Sequence, residues 1–164
     1  MSKRLGWAMT VVLAFGLASA GCADPQSSVS QAKVTFLNPE GLHQNPAFSQ
    51  AVVISGPART VYVGGQNAVD AAGNIIGKGD IGLQAEQVAK NIETALAAGQ
   101  AAPEQVIKWT VYLVEGQPAG PAYAAFRKVW DTPANPPLIS LVFVSALAHP
   151  DFLLEVQAVA VVIE

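Results

Sequence analysis

Apolar and polar residues change their spacing several times after residue 33, and each change marks a predicted element. Three short runs rich in β-branched residues lie at 34–37, 51–54 and 60–63. They are interrupted by Asn-Pro, Gly-Pro and Gly-Gly pairs, which favour turns over continued strands. This part of the chain therefore predicts a leading group of antiparallel strands.

The longest periodic segment predicts a helix after Asp80, a residue type that caps helix N termini well. Apolar residues then recur at spacings of three and four until Gly99, where the helix is expected to end. These apolar positions are Ile81, Ala85, Val88, Ile92, Ala95 and Leu96.

Strand character returns at 105–114, where Trp109 and Val111 fall on one face and Lys108 and Thr110 on the other. After a loop at 116–121, residues 122–130 predict a short second helix.

The last two predicted strands, at 138–147 and 152–163, are joined by a turn at 149–151 and are apolar on both faces. Two helices cover only one face of a sheet, so the other face needs a partner. An exposed apolar face of that size is unusual on a monomer. The pattern therefore predicts a homo-oligomer in which sheets pack together.

The N terminus has the organisation of a secretory signal peptide over residues 1–21. Lys3 and Arg4 precede an uncharged stretch at 5–21 that is too short for a typical membrane-spanning helix. Residues 22–32 are rich in Pro, Ser and Gln and predict a flexible tether before a folded domain at 33–164.

Two cleavage sites are compatible with the residues before the tether. The Ala-Ser-Ala sequence at 18–20 suits cleavage before Gly21, whereas Ser-Ala-Gly-Cys at 19–22 is similar to a bacterial lipobox, with Ser19 where Leu is usual. We favour lipidation of Cys22, because it is the only cysteine in the chain. The expected location is then the periplasm or a membrane surface reached through that lipid.

The amino-acid composition excludes several classes of protein for this chain. With 51 % hydrophobic and 13 % charged residues, the chain has the apolar surface needed for a core and is not disordered. A single cysteine excludes a disulfide scaffold. Loss of residues 1–21 takes away two of the nine bases and none of the 12 acids, so the net charge becomes −5. Such a charge argues against nucleic acid as a partner.

Few residues offer catalytic or metal-binding chemistry. His43 and His149 are the only histidines and lack metal-ligand spacing, so no metal is expected. Glu155 stands with Gln157 on a strand otherwise made of Leu, Val and Ala. A carboxylate there is costly unless it is paired, hydrogen-bonded or at a cleft, where it could act as a general base. The alternative is an exposed glutamate at a strand edge.

Several short motifs occur together in one order along the domain. They are NPEG at 38–41, FSQA at 48–51, VYVGGQ at 61–66, GKGD at 77–80 and EVQAVA at 155–160. In this combination the chain resembles the Rid (YjgF, reactive intermediate deaminase) family across residues 33–164.

The resemblance implies a chorismate-mutase-like α+β fold, a two-layer sandwich in which a mixed sheet of about six strands carries two helices on one face. It also implies a homotrimer with its sheets around a central barrel and ligand clefts between subunits. Active members of this family hydrolyse reactive enamines and imines to a 2-oxo acid and ammonia, and they need no cofactor.

The resemblance also implies which residues line the cleft, and several of them differ from the family's usual residues. Glu155, which is expected to position the attacking water, and Gln66 and Tyr123 keep the family's identities. Ile139 stands where the family has the arginine that grips the substrate carboxylate. The other departures are Leu141 for a cysteine, Gly64 for a serine, Phe48 for a tyrosine and Gly120 for an asparagine.

Three functions are compatible with this pattern. The first is an exported trimer that binds a small, uncharged metabolite in its inter-subunit clefts. The second is a hydrolase that uses a Glu155-positioned water on a neutral imine or enamine. The third is an interaction module of the cell envelope with empty clefts.

Overall fold

The computed structural model describes residues 31–130 and 135–164. The predicted signal peptide, Cys22 and most of the predicted tether lie outside these residues. None of the helices in the described ranges is long and apolar enough to span a membrane.

Six strands, two α-helices and one short 3₁₀ helix at Pro103–Gln105 make up the described residues, which confirms the predicted α+β class. The strands are β1 (Lys33–Leu37), β2 (Ala51–Ser55), β3 (Ala58–Gln66), β4 (Val106–Val114), β5 (Leu138–Val144) and β6 (Leu154–Ile163). The helices are α1 (Ile81–Ala98) and α2 (Ala119–Val129).

Hydrogen bonds divide the six strands into two groups. Strands β3, β6, β4 and β5 form a mixed sheet in that order, in which only β4 and β5 run parallel. The connection between these parallel strands is α2, as parallel pairing requires. Strands β1 and β2 form a separate antiparallel pair.

Helix α1 has the predicted ends. The Asp80 carboxylate accepts hydrogen bonds from the backbone N–H groups of Gly82 and Leu83, at 2.9 and 3.0 Å. At the other end, a Cβ on Gly99 would lie 2.7 Å from Cγ1 of Val61. The glycine therefore lets the end of α1 approach β3 closely, and the left-handed backbone is adopted by Gln100 instead.

Four predicted elements have other boundaries in the structure. The strand predicted at 60–63 is longer, because a register shift between Val63 and Gln66 lets it continue past Gly64 and Gly65. It pairs with β6 and not with β2. Helix α2 begins at Ala119 and not at 122. Pro121 lies in its first turn, where a proline loses no backbone hydrogen bond.

The predicted strand at 138–147 ends at Val144. Its only neighbour in the sheet, β4, ends at Val114, which is the residue paired with Val144. The following strand begins at Leu154 and not at 152. Instead, the Asp151 carbonyl accepts a hydrogen bond from the Gln84 side chain, and the Leu153 N–H donates one to it.

Both helices pack on one face of the sheet and close the hydrophobic core. The fully buried side chains of this layer include Ile92 and Leu96 from α1, Leu113 from β4, and Leu154 and Val156 from β6. Each buried side chain of this size contributes about 1.5–3 kcal/mol by leaving water. The core therefore fixes which face of each strand points toward the helices.

The opposite face of the sheet is mixed in character and has no covering element across much of its area. Tyr62 of β3 is 78 % exposed, and Thr110 and Tyr112 of β4 lie beside Gln157 and Glu155 of β6. At the free edge of the sheet, β5 exposes Leu141, Val142 and Phe143.

The contribution of Gln84 to the stability of the turn before β6 can be tested by substitution. Its side chain is fully buried, donates to the Asp151 carbonyl at 2.7 Å and accepts from the Leu153 N–H at 2.9 Å. Gln84→Leu should lower the free energy of unfolding by about 1–3 kcal/mol, because it leaves two backbone groups without partners. Urea denaturation measures this loss.

Glu93→Leu is the matched control, because Glu93 is exposed on the same helix. It should change the stability by no more than about 0.5 kcal/mol. Equal effects of the two substitutions would contradict the role assigned to Gln84.

Candidate ligand-binding site

A cavity of about 350 Å³ lies between α2 and the core-facing side of β4 and β5. Its floor is apolar and is formed by Val111 and Leu113 of β4, Ile139 and Leu141 of β5, and Leu154 of β6. One face of α2 forms the roof, with Ala119, Ala122, Tyr123, Phe126, Arg127 and Trp130 at helical spacing. Small-molecule sites are commonly concave and mostly apolar in this way.

Three aromatic side chains form one wall of the cavity. The rings of Trp109 and Trp130 stack with their centroids 4.6 Å apart, and Phe126 meets Trp109 edge-on at 6.1 Å. Phe126 also contacts Trp130, at a centroid distance of 5.0 Å. The rings present a polarisable surface of ring faces and edges that suits an apolar or aromatic ligand.

The loop before β2 closes one end of the cavity. Ser49 is buried there, and its hydroxyl donates to the Pro136 carbonyl at 2.6 Å, while its backbone N–H donates to the Pro137 carbonyl at 3.1 Å. Both prolines line the cavity, as does Ala47. The site thus joins a loop, a helix and three strands that are distant in sequence.

The structure brings part of the predicted site together. Tyr123, Ile139 and Leu141 all line the cavity. Phe48 and Gly120 are the chain neighbours of two lining residues, Ala47 and Ala119. These five predicted positions therefore belong to one region of the fold.

Glu155 lies on the other side of the sheet. Residues that are paired across strands share a face, and Glu155 pairs with Tyr112, whereas Ile139 pairs with Trp109. Because Tyr112 and Trp109 are an odd number of residues apart, their side chains point to opposite faces. Within one chain, Glu155 and Ile139 are thus separated by the sheet.

The surroundings of Glu155 do not match the alternative of an exposed glutamate at a strand edge. Strand β6 is hydrogen-bonded to β3 on one side and to β4 on the other, and Glu155 is half-buried. A Cβ on Gly65 would overlap its Oε1 atom and lie 2.6 Å from its Cδ. The missing side chain of Gly65 therefore provides the space that the carboxylate occupies.

Gly64 and Gln66 flank this glycine in the irregular part of β3. The Gln66 side chain donates to the Gly64 carbonyl at 3.3 Å, and a Cβ on Gly64 would meet no atom within 4 Å. With Glu155 and Gly65, they make up a second group, which we call the bulge group.

Two ion pairs lie outside the cavity lining. Lys128 of α2 donates to Glu86 of α1 at 2.7 Å, which lowers the pKa of Glu86 and joins the roof of the cavity to α1. A hydrogen bond from Lys78 lowers the pKa of Asp151, in the turn before β6. In residues 31–130 and 135–164, no three metal-binding side chains converge.

Sequence reasoning missed the aromatic wall and Gly65. The alternation along β4 already places Trp109 with Val111 on the covered face. The spacing of Phe126 and Trp130 places both on the face of α2 that contains Tyr123. A doubled glycine within a strand is itself a signal of a bulge or of close packing.

Comparison with known proteins identifies the fold and the family. The profile described as Endoribonuclease L-PSP matches residues 41–162. The chain therefore belongs to this family, which is the YjgF/Rid family, and it has the chorismate-mutase-like fold that the resemblance implied. A comparison with curated proteins finds no match.

Solved structures support the same assignment. A Rid-family protein from Yersinia pestis, YyfB, is 31 % identical over 77 % of this chain and 97 % of its own, with a TM-score of 0.67. An L-PSP protein from Entamoeba histolytica is 26 % identical over 79 % of this chain and 100 % of its own, with a TM-score of 0.57. Yeast Mmf1 is 25 % identical over 79 % of this chain and 98 % of its own, with a TM-score of 0.57.

The contact between Gly65 and Glu155 can be measured by comparing neighbouring glycines. Gly65→Ala should lower the free energy of unfolding by about 1 kcal/mol or more, because the new methyl group forces the Glu155 side chain to move. Gly64→Ala is the control, since its methyl group would meet no neighbour. Chemical denaturation gives both values.

The same substitution in a Glu155→Ala background isolates the contact. Gly65→Ala should then cost less, because the overlapping carboxylate is absent, and the difference is the coupling energy between the two positions. An equal cost in both backgrounds would show that Gly65 does not make room for Glu155.

Proposed function

We propose that this protein binds a small, uncharged, largely apolar metabolite, and that its ligand occupies the cavity beneath α2. The observation that carries the proposal is the position of Ile139 and Leu141 in the floor of that cavity. Where the Rid family resemblance places a carboxylate-gripping arginine, this chain offers only hydrocarbon. A buried carboxylate there would lose its water without gaining a charged partner.

The charged residues that line the cavity, Glu104 and Arg127, are both exposed. They leave the floor and the aromatic wall free of charge. An apolar cavity binds water weakly, so an apolar ligand can enter without displacing strongly bound solvent.

The proposal includes a homotrimer with the cleft completed between subunits. The sheet separates Glu155 from Ile139 within one chain, so a site that uses both must combine residues of two copies. The exposed apolar edge at β5 is a surface that a second copy can cover, because unpaired strand edges favour association.

Export is part of the same proposal. The predicted signal peptide at 1–21 supports delivery across a membrane, and Cys22 supports lipid anchoring. The tether at 22–32 would then hold the folded domain near the membrane surface. The name of the matching family includes endoribonuclease, but the net charge of −3 disfavours RNA as the ligand.

The alternative is a hydrolase in which Glu155 positions water for attack on a neutral imine or enamine. It is favoured by one observation, the half-buried carboxylate held in the space that Gly65 leaves. Such a carboxylate can take a proton from water during attack on a C=N carbon.

Binding can be tested with an uncharged aromatic probe such as naphthalene. Full-length protein carrying Trp7→Phe keeps tryptophan only at 109 and 130, both in the cavity wall, so entry of the probe should alter the fluorescence. Ile139→Arg should weaken binding roughly tenfold or more, because it places a charge in the apolar floor.

Ile139→Met is the control for this experiment, because it changes shape without adding charge, and its affinity should stay within about threefold of wild type. Equal binding by the Arg and Met variants would show that the probe does not occupy this cavity. No binding by any form would favour the third function, an interaction module.

Ammonia release distinguishes binding from the family's usual reaction. Wild-type protein should release ammonia from freshly generated 2-iminopropanoate and 2-iminobutanoate at the uncatalysed rate, because Ile139 cannot grip their carboxylates. Activity in Ile139→Arg that is lost again on adding Glu155→Gln would show that the water-positioning site is intact. Wild-type activity would contradict the proposal and direct attention to Arg127, the guanidinium that lines the cavity.

A further inference from the structure

The indole N–H of Trp130 is a buried hydrogen-bond donor without a partner among the residues that the structure describes. Its ring lines the cavity, while the N–H itself is shielded from water. A buried donor left unpaired costs about 1–3 kcal/mol. Native structures seldom keep such a group without a reason.

The described neighbours of Trp130 do not satisfy this donor. Trp109 stacks on the ring at 4.6 Å and Phe126 lies at 5.0 Å, and neither side chain offers a strong hydrogen-bond acceptor. The nearby floor of the cavity is aliphatic. The described residues thus leave this donor for an acceptor on a molecule that enters the cavity.

The cavity restricts the shape of that molecule. About 350 Å³ is at the small end of ligand pockets, and the three aromatic rings favour an aromatic, and so planar, body that can stack or pack edge-on. Because the N–H has almost no exposed surface, the ring must turn toward the cavity before an acceptor carried by that body can reach it.

We propose that the ligand is a planar, uncharged ring compound carrying an acceptor atom that pairs with Nε1–H of Trp130. This inference rests on the proposed function, because it names the ligand class for the same cavity. It makes Trp130 a specificity-determining residue, because its hydrogen bond selects among ligands that have the same shape and hydrophobicity.

Naphthalene and quinoline provide the test, because they are nearly equal in size and shape and only quinoline has an acceptor nitrogen. Equilibrium dialysis with the full-length protein at neutral pH should show quinoline binding about tenfold more tightly than naphthalene. Trp130→Phe should abolish this preference while naphthalene still binds. Trp109→Phe, which removes the other indole of the wall, should keep the preference.

Equal affinities of the two compounds in wild type would overturn the inference and leave the proposed function standing. A preference that survives in Trp130→Phe would also overturn it, because another donor would be responsible. Failure of both compounds to bind would overturn the proposed function and this inference together.

A spectroscopic measurement avoids reliance on the Trp130→Phe variant, in case that variant does not fold. In ¹H–¹⁵N spectra of the wild-type protein, the Trp130 indole proton should move downfield with quinoline but not with naphthalene, because only quinoline accepts its hydrogen bond. Identical shifts with both compounds would contradict the assignment.

Discussion

The arrangement of this molecule depends on the two-sided hydrogen bonding of β6. Strand β6 pairs with β3 and β4 over most of its length, so its register fixes the direction of every side chain in the middle of the sheet. Leu154, Val156, Ala158 and Ala160 are buried under the helices as a result. The alternating residues, beginning with Glu155, must then face the other way.

This constraint explains why the candidate functional residues form two groups. The residues that line the cavity lie on the covered face of the sheet and the inner face of α2. The bulge group surrounds Glu155 on the opposite face. A one-residue slip of β6 would bring Glu155 into the core, at a cost of several kcal/mol. The hydrophobic core therefore keeps the two groups apart in a single chain.

Much of this fold could be predicted from local patterns. The ends of α1 follow from Asp80 and Gly99, and the covered face of β4 follows from strict alternation through Trp109 and Val111. Partner choice could not be predicted in the same way, because a run such as 60–63 has the same composition whether it pairs with β2 or β6. The closure of the cavity was also hidden, since it depends on Ser49 bonding to a segment 87 residues away.

The position of the cavity floor explains how the ligand preference that we propose is compatible with an unchanged fold. Ile139 and Leu141 lie on β5, an edge strand whose register is set by β4, so substitutions there alter the cavity floor and leave the pairing of β6 intact. Replacing a charged floor by hydrocarbon removes selection for carboxylates and makes dispersion and aromatic contacts the main source of affinity. Specificity must then come from the few polar atoms left in the wall. The unpaired indole N–H of Trp130 is the one such atom that is buried and has no partner among the described residues.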